Sequence, residues 1–165
     1  MAGMYSREVA IRPVEEKDRP IVEWLTIKLW GAAEVVVHDG AFYPAGLPGF
    51  IAERAGRIAG LVTFEVRDGV LEIATINALD QQQGIGTRLI EAVRAEAKRL
   101  GCHHVTLTTT NDNISALRFY QRRGFRLAAL RPGAVDLSRR RKPEIPRTGD
   151  FGIPLRDEID LTCPV

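Results

Sequence analysis

Little in this sequence points toward a membrane, a disulfide scaffold or a metal site. Its two cysteines, Cys102 and Cys163, are too few for a disulfide framework and lack the paired spacing of a zinc site. No apolar run approaches the roughly 20 residues that a bilayer span requires. From Met1 to Arg12 there is no apolar stretch of the kind a secretory signal carries. A reducing, cytoplasmic compartment is therefore expected, with no membrane partner. Charge of one sign is also scarce: 23 Lys+Arg against 21 Asp+Glu leave a net +2, which names no partner. The one local excess, Arg139-Arg140-Arg141-Lys142, reads as solvated surface, because a nucleic-acid groove binder shows a broader basic face. No nucleic-acid partner is expected. His103 and His104 have no further His or Cys at ligand spacing, so no metal is expected either.

What is present is an ordinary globular composition, 45% hydrophobic and 27% charged over 165 residues. That suffices for one domain, 1–165, with a real core. A short strand over 9–14 ends at Pro13. Asp18 is placed to cap a helix, with Pro20 in its first turn, and Ile21, Trp24, Leu25 and Leu29 recur at helical spacing up to Trp30. A short strand at 35–37 precedes a Gly- and Pro-rich loop over 38–49. Strands follow over 50–54, 57–67 and 70–79, with Ala55-Gly56 and Asp68-Gly69 as hairpin turns. A helix over 87–100 carries an apolar stripe of Leu89, Ile90, Val93, Ala97 and Leu100, stopped by Gly101. Then come a strand over 105–110, a helix over 114–123, a strand over 125–130, irregular chain over 134–147 with room for one or two helical turns before Pro143, and a charged last strand over 155–161. The order makes this an α/β chain with antiparallel hairpins first and a βαβ crossover in the middle.

The stretch from Glu72 to Phe125 carries the chemistry. Gln81-Gln82-Gln83-Gly84-Ile85-Gly86-Thr87 lies between a strand and an amphipathic helix. Glycines there free backbone N–H groups to face an anion, and the helix N-terminus adds partial positive charge. The same residues also suit a tight connection with no ligand. A dinucleotide site fits poorly, since a third glycine and an acidic residue about 20 positions on are missing. Asn113 and Tyr120, seven apart, share a helix face, with Leu117 and Phe119 turned toward a core. A tyrosine on such a face is either a proton donor or a half-buried aromatic. Glu72, Ala74 and Ile76 share one face of their strand. A carboxylate there is either a base with a pKa raised by desolvation or a solvent-facing residue.

Gln81-x-x-Gly84-x-Gly86 resembles the acetyl-CoA-binding motif of the GNAT superfamily of N-acetyltransferases. Asn113-Ile114-Ser115-Ala116-Leu117-Arg118-Phe119-Tyr120, followed by Gly124-Phe125, is similar to that family's second motif. Both stand in the expected order, and the resemblance covers at least 11–130. It departs from the family in having Gln82 where a glycine is usual and no proline before the turn. The resemblance implies a GNAT-like fold: a mixed, mostly antiparallel central sheet, splayed between its fourth and fifth strands (70–79 and 105–110), with helices on both faces. It further implies acetyl-CoA in that gap. The pyrophosphate would rest on backbone N–H groups of Gln82, Gln83, Gly84, Ile85, Gly86 and Thr87 beside Gln81. The pantetheine would run along Ile76, Ala78 and Leu79, and Asn113, Ala116, Phe119 and Tyr120 would contact the cofactor. By position Tyr120 is the acid, and Glu72 matches the carboxylate that some members use as base.

The activity implied is acetyl transfer from acetyl-CoA to a primary amine of a small molecule or peptide, by direct attack. The competing reading is a catalytically silent acyl-CoA sensor or structural module of the same fold. Trp24, Trp30, His38, Tyr43, Asp157 and Glu158 are candidate acceptor contacts. A homodimer using an exposed last strand is a further expectation.

Overall fold

The computed structural model describes residues 8–38, 40–79 and 84–165. Its elements in chain order are β1 (Val9–Pro13), α1 (Arg19–Trp30), β2 (Val35–Val37), β3 (Gly40–Phe42), β4 (Gly49–Arg54), β5 (Arg57–Arg67), β6 (Val70–Ala78), α2 (Ile85–Arg99), β7 (His104–Thr110), α3 (Ile114–Gln121), β8 (Arg126–Arg131), α4 (Ala134–Arg141) and β9 (Glu158–Pro164). Seven strands form one sheet in the order β1-β4-β5-β6-β7-β9-β8, and β2 pairs with β3 as a separate hairpin. Only β6 and β7 pair in parallel; the other neighbours run antiparallel. This is the mixed, mostly antiparallel sheet expected, and the single parallel pair follows from the α2 crossover.

The two hairpin turns form as their residues dictate. Asp68 and Gly69 both take positive φ, 51° and 74°, as do Ala55 and Gly56 at 50° and 73°. Two consecutive left-handed residues match the twist of the flanking strands.

The helix α2 buries Leu89, Ile90, Val93 and Ala97 completely against the sheet, in a core with Val62, Leu71, Val105 and Leu161. Leu100, expected on that stripe, falls beyond the last turn and is 43% exposed. Gly60 on β5 lets α2 settle there, because a Cβ would stand 2.6 Å from Ile85 Cγ2. On the opposite face α1 buries Val22, Leu25 and Thr26 against Ile51 and Leu61. Its other expected stripe residues, Ile21, Trp24 and Leu29, stay largely exposed. The helix meets the sheet on a narrower line than the apolar spacing suggests, and apolar surface of this kind is common.

Several expectations are corrected. The register of β5 and β6 shifts between Thr63↔Thr75 and Phe64↔Ile73, so Ala74 is an extra residue in a bulge. Side-chain alternation resets there. Ile76 consequently packs with the α2 core, while Glu72 points to the other face beside His38. The last strand is not an edge: β9 lies between β7 and β8, and β8 with six exposed residues is the edge. The one or two helical turns expected before Pro143 form as α4, started by Gly133 with φ 72°. The loop over 38–49 contains β3 and a 3-10 turn at Pro44–Gly46.

Candidate active site

The parallel pairing of β6 and β7 stops at Ile73↔Leu107. Beyond it β6 runs on to Ala78 and β7 to Thr110 with no pairing between them. Each keeps its partner on the outer side: Thr75, Ile76, Asn77 and Ala78 pair with β5, and Thr108, Thr109 and Thr110 with β9. The sheet therefore opens at one end, leaving two facing strand edges whose inner N–H and C=O groups can take a polar chain.

On the α2 side the opening is a cleft of about 510 Å³. It is lined by Ile76 and Ala78 on one bank, Gly84, Ile85, Gly86 and Thr87 at its end, and Ala116, Phe119 and Tyr120 on α3. All nine were expected from the sequence. Gly84 starts α2 in the left-handed region, φ 67°, with open space around it. The first N–H groups of the helix have no acceptor within it, so the turn presents donors into the cleft. At Gly86 a Cβ would lie 3.0 Å from Phe119 Cζ. Glycine there lets the ring of α3 close against the first turn of α2.

Three arginines of the cleft, Arg118, Arg122 and Arg123, and also Ser115, escaped the sequence reading. Their signal was present: 115, 118 or 119 and 122 or 123 follow one helical stripe. Arg123 lies 3.6 Å over the Phe119 ring and donates to Thr87 Oγ1 at 2.9 and 2.7 Å from Nε and Nη2. It thereby ties α3 to the start of α2. Gln81, Gln82 and Gln83 fall outside the described residues. Leu79 lies just past β6, its N–H bonded to Ala59 O and its side chain exposed.

Tyr120 is 7% exposed and packs edge-on against Phe119 and Phe125. Burial pushes its phenol above the ordinary tyrosine value, which keeps the proton on the oxygen. Asn113 does something different from Tyr120. It caps α3, its side-chain oxygen accepting from Ala116 N at 3.1 Å, and it lines a second cavity on the other face of the sheet. The two residues do not face the same hollow.

That second cavity, about 240 Å³, straddles the opening from behind. Its walls are Trp30, Val35, Val36, Val37, Ala74, Ile145, the end of β7, Lys142 and Glu158. Glu158 is only 3% exposed. Both carboxylate oxygens accept from the backbone N–H of His38, at 3.1 and 3.0 Å. Desolvation raises its pKa above the usual carboxylate value, opposed by the bond from His38. His38 Nε2 lies 3.7 Å from both Glu158 Oε2 and Asp160 Oδ1, and 3.1 Å from Thr108 Oγ1. Glu72 is half-buried in a neighbouring recess that His38, Asp160 and Arg131 also line. Its pKa is raised, mainly by desolvation and then against the pull of His38.

Of the other acceptor candidates, Trp30 lines the cavity and donates from Nε1 to Asn77 Oδ1 at 3.0 Å. Trp24 is 53% exposed under Lys28, Tyr43 is exposed and donates to Glu34, and Asp157 accepts from Gly133 N. None of these three lines the cavity. The basic run is structural: Arg139 bonds Asp136 and the carbonyls of Ile145, Pro146 and Leu155, Arg141 pairs with Glu34, and Lys142 reaches Trp30 O. Asn111 and Asp112 hold the tail from the other side. Asn111 Oδ1 accepts from Arg156 N and Asp157 N, and Asp112 accepts from Asp150 N and Thr110 Oγ1. Among the described residues no group of three or more His, Cys, Asp or Glu could hold a metal, and no helix is long and apolar enough to cross a membrane.

Comparison with known proteins agrees with this geometry. Residues 10–125 match the model of the acetyltransferase (GNAT) family. Two proteins of Bacillus subtilis (strain 168) without assigned function are similar in sequence. YdhI is 41% identical over 133 residues, covering 80% of this chain and 83% of that protein; YxbD is 36% identical over 152 residues, covering 92% and 96%. Among solved structures, an IAA acetyltransferase from Bacillus cereus superposes with a TM-score of 0.73 at 22% identity, covering 96% of this chain and 100% of that one. A GNAT family acetyltransferase from Elizabethkingia anophelis with acetyl-CoA bound gives 0.71 at 21% identity, covering 95% and 98%. The split sheet, the glycine turn that opens α2 and the matched span together show that this chain belongs to the acetyltransferase (GNAT) family.

Proposed function

We propose that this protein transfers an acetyl group from acetyl-CoA to a primary amine by direct attack. The observation that carries this reading is the pair of hollows meeting at one break in the sheet, a donor-lined cleft on the α2 side and a small carboxylate-bearing cavity behind it. A silent acyl-CoA sensor needs the first hollow but has no use for the second.

The residues fit the cofactor. The α2 N-terminus and Arg118, Arg122 and Arg123 offer donors and positive charge for phosphates, and the free edges of β6 and β7 suit an amide-bearing arm. Acetyl-CoA, when bound, supplies an acetyl group activated as a thioester. In the transfer a C–N bond forms as the C–S bond breaks, the nitrogen gives up one proton and the sulfur takes one. Tyr120 supplies the proton to sulfur. Glu158, which lines the cavity itself, receives the proton from nitrogen; Glu72, which the sequence suggested, lies in the neighbouring recess. Holding both reactants at the break supplies about 7–11 kcal/mol of the barrier reduction by orientation alone.

The test is thiol release from acetyl-CoA across a panel of primary amines and short peptides. Amine-dependent release supports transfer. Binding of acetyl-CoA without release for any acceptor would identify the sensor instead.

A further inference from the structure

The acceptor cavity holds one buried carboxylate and one ammonium between an apolar wall and a polar one of Thr108, Thr109, Thr110 and Asn113. Glu158 has His38 N–H on both oxygens, and the cationic groups that act on it are the His38 ring at 3.7 Å and Arg131. Lys142 lines the same cavity, and its ammonium donates to a backbone oxygen, Trp30 O, at 2.9 Å. The nearby acidic residue Glu34 is already engaged by Arg141 at 2.6 Å and Tyr43 at 2.7 Å. Two opposite charges in one cavity of about 240 Å³, not paired with each other, form a complementary frame for a molecule that carries both signs. A buried charge demands a partner, and a ligand can supply it. The volume is below that of drug-sized sites, which restricts the acceptor to a small molecule.

We infer that the acceptor is a free amino acid with a small apolar side chain, its ammonium on Glu158 and its carboxylate on Lys142. This rests on the acetyl-transfer reading above and names its substrate. Trp30, Val35, Val36, Val37 and Ile145 provide the apolar wall for the side chain. Glu158 then has two tasks: it holds the ammonium, and it takes the proton that the ammonium gives up before attack and passes it to solvent, while the second proton, lost once the C–N bond has formed, replaces the one that Tyr120 gave to sulfur. His38 is a positioning residue, because its backbone fixes the carboxylate without touching the acceptor. Glu72, in the recess on the far side of His38, does not meet the acceptor in this arrangement.

The experiment compares each amino acid with the amine that lacks its carboxylate, for example valine with isobutylamine, by thiol release from acetyl-CoA. The amino acid is expected to exceed its amine in kcat/KM by at least about tenfold, since an unanswered Lys142 penalises the analogue. Lys142→Met brings the amino acid down to the level of its amine, chiefly through KM, while Glu158→Gln lowers kcat for both. Thermal stabilisation by acetyl-CoA verifies that each variant is folded. Amines equal to or better than amino acids, or a Lys142→Met variant that keeps the preference, overturn the assignment and leave acetyl transfer standing. No release with either class, despite acetyl-CoA binding, overturns acetyl transfer and the assignment together.

Discussion

The backbone N–H of His38 donates to both carboxylate oxygens of Glu158, 120 positions away in the chain, at 3.1 and 3.0 Å. The contact fixes a buried carboxylate at the wall of the cavity behind the break between β6 and β7. Burial raises its pKa above the ordinary carboxylate value. As a proton acceptor it must be ionised, so turnover is expected to rise with pH on a limb displaced above the ordinary carboxylate range. The Glu158→Gln variant loses that limb together with most of its turnover, and a kcat–pH profile checks it. Stability moves the other way. A carboxyl group whose pKa is higher folded than unfolded binds its proton more readily in the folded state. Its contribution therefore falls as pH rises from about 4.5 through the folded value. Glu158→Gln should flatten that part of a denaturation-against-pH curve.

Tyr120 sits in the cleft between two aromatic rings, so Tyr120→Phe removes the hydroxyl and keeps the packing. Turnover should fall by about 10²-fold or more, as for loss of a general acid. The affinity for acetyl-CoA should change little. Steady-state kinetics and calorimetric titration separate the two. An unchanged kcat at saturating acceptor would remove Tyr120 from the acid role.

Gly86 has Phe119 at its back, and an added methyl would stand 3.0 Å from the ring. Gly86→Ala is expected to push Phe119 and the stacked Arg123 outward, weakening acetyl-CoA binding by about 3- to 30-fold, the equivalent of roughly 1–2 kcal/mol. Arg123→Met should weaken binding comparably by freeing Thr87. Isothermal titration of both variants against acetyl-CoA provides the measurement.

Asp18 is 6% exposed and accepts from Arg12 at 2.7 and 3.0 Å. The bond from Arg12 holds its carboxyl down at about 2, well below the ordinary carboxylate value. A depressed folded pKa contributes stability above the unfolded value and loses it as pH falls from about 4 toward 2. The Asp18→Asn variant should be less stable near neutral pH by about 1–3 kcal/mol. It should also lose less on acidification over that window, which urea denaturation at several pH values would read.

The α2 stripe, the glycine turn and the α3 sequence were legible because their information is local. Leu89, Ile90, Val93 and Ala97 recur at helical spacing, and Gly84 and Gly86 sit at a strand-to-helix turn. The two left-handed hairpin pairs were equally legible, since the residues themselves set the backbone. The arginines of the cleft were present as a helical stripe but have no meaning until Gly86 and Phe119 bring α2 and α3 together. The face of Glu72 relative to Ile76 was not legible. Strict alternation puts them on one side, and the bulge at Ala74, which arises from pairing with β5, puts them on opposite sides.

By itself, then, the sequence determined the family, most of the strands and helices, and the glycine turn that opens α2 with the tyrosine beside it, because each is written in contiguous residues and their periodicity. Only the tertiary structure decided which distant residues come together behind the break in the sheet. His38, Lys142 and Glu158 lie on three separate segments. They meet because β9 inserts between β7 and β8, which brings Glu158 opposite Thr110 at the open end of the sheet, and because the tail after α4 folds back over Trp30. Such a meeting depends on long-range pairing and burial, and local spacing carries no record of it.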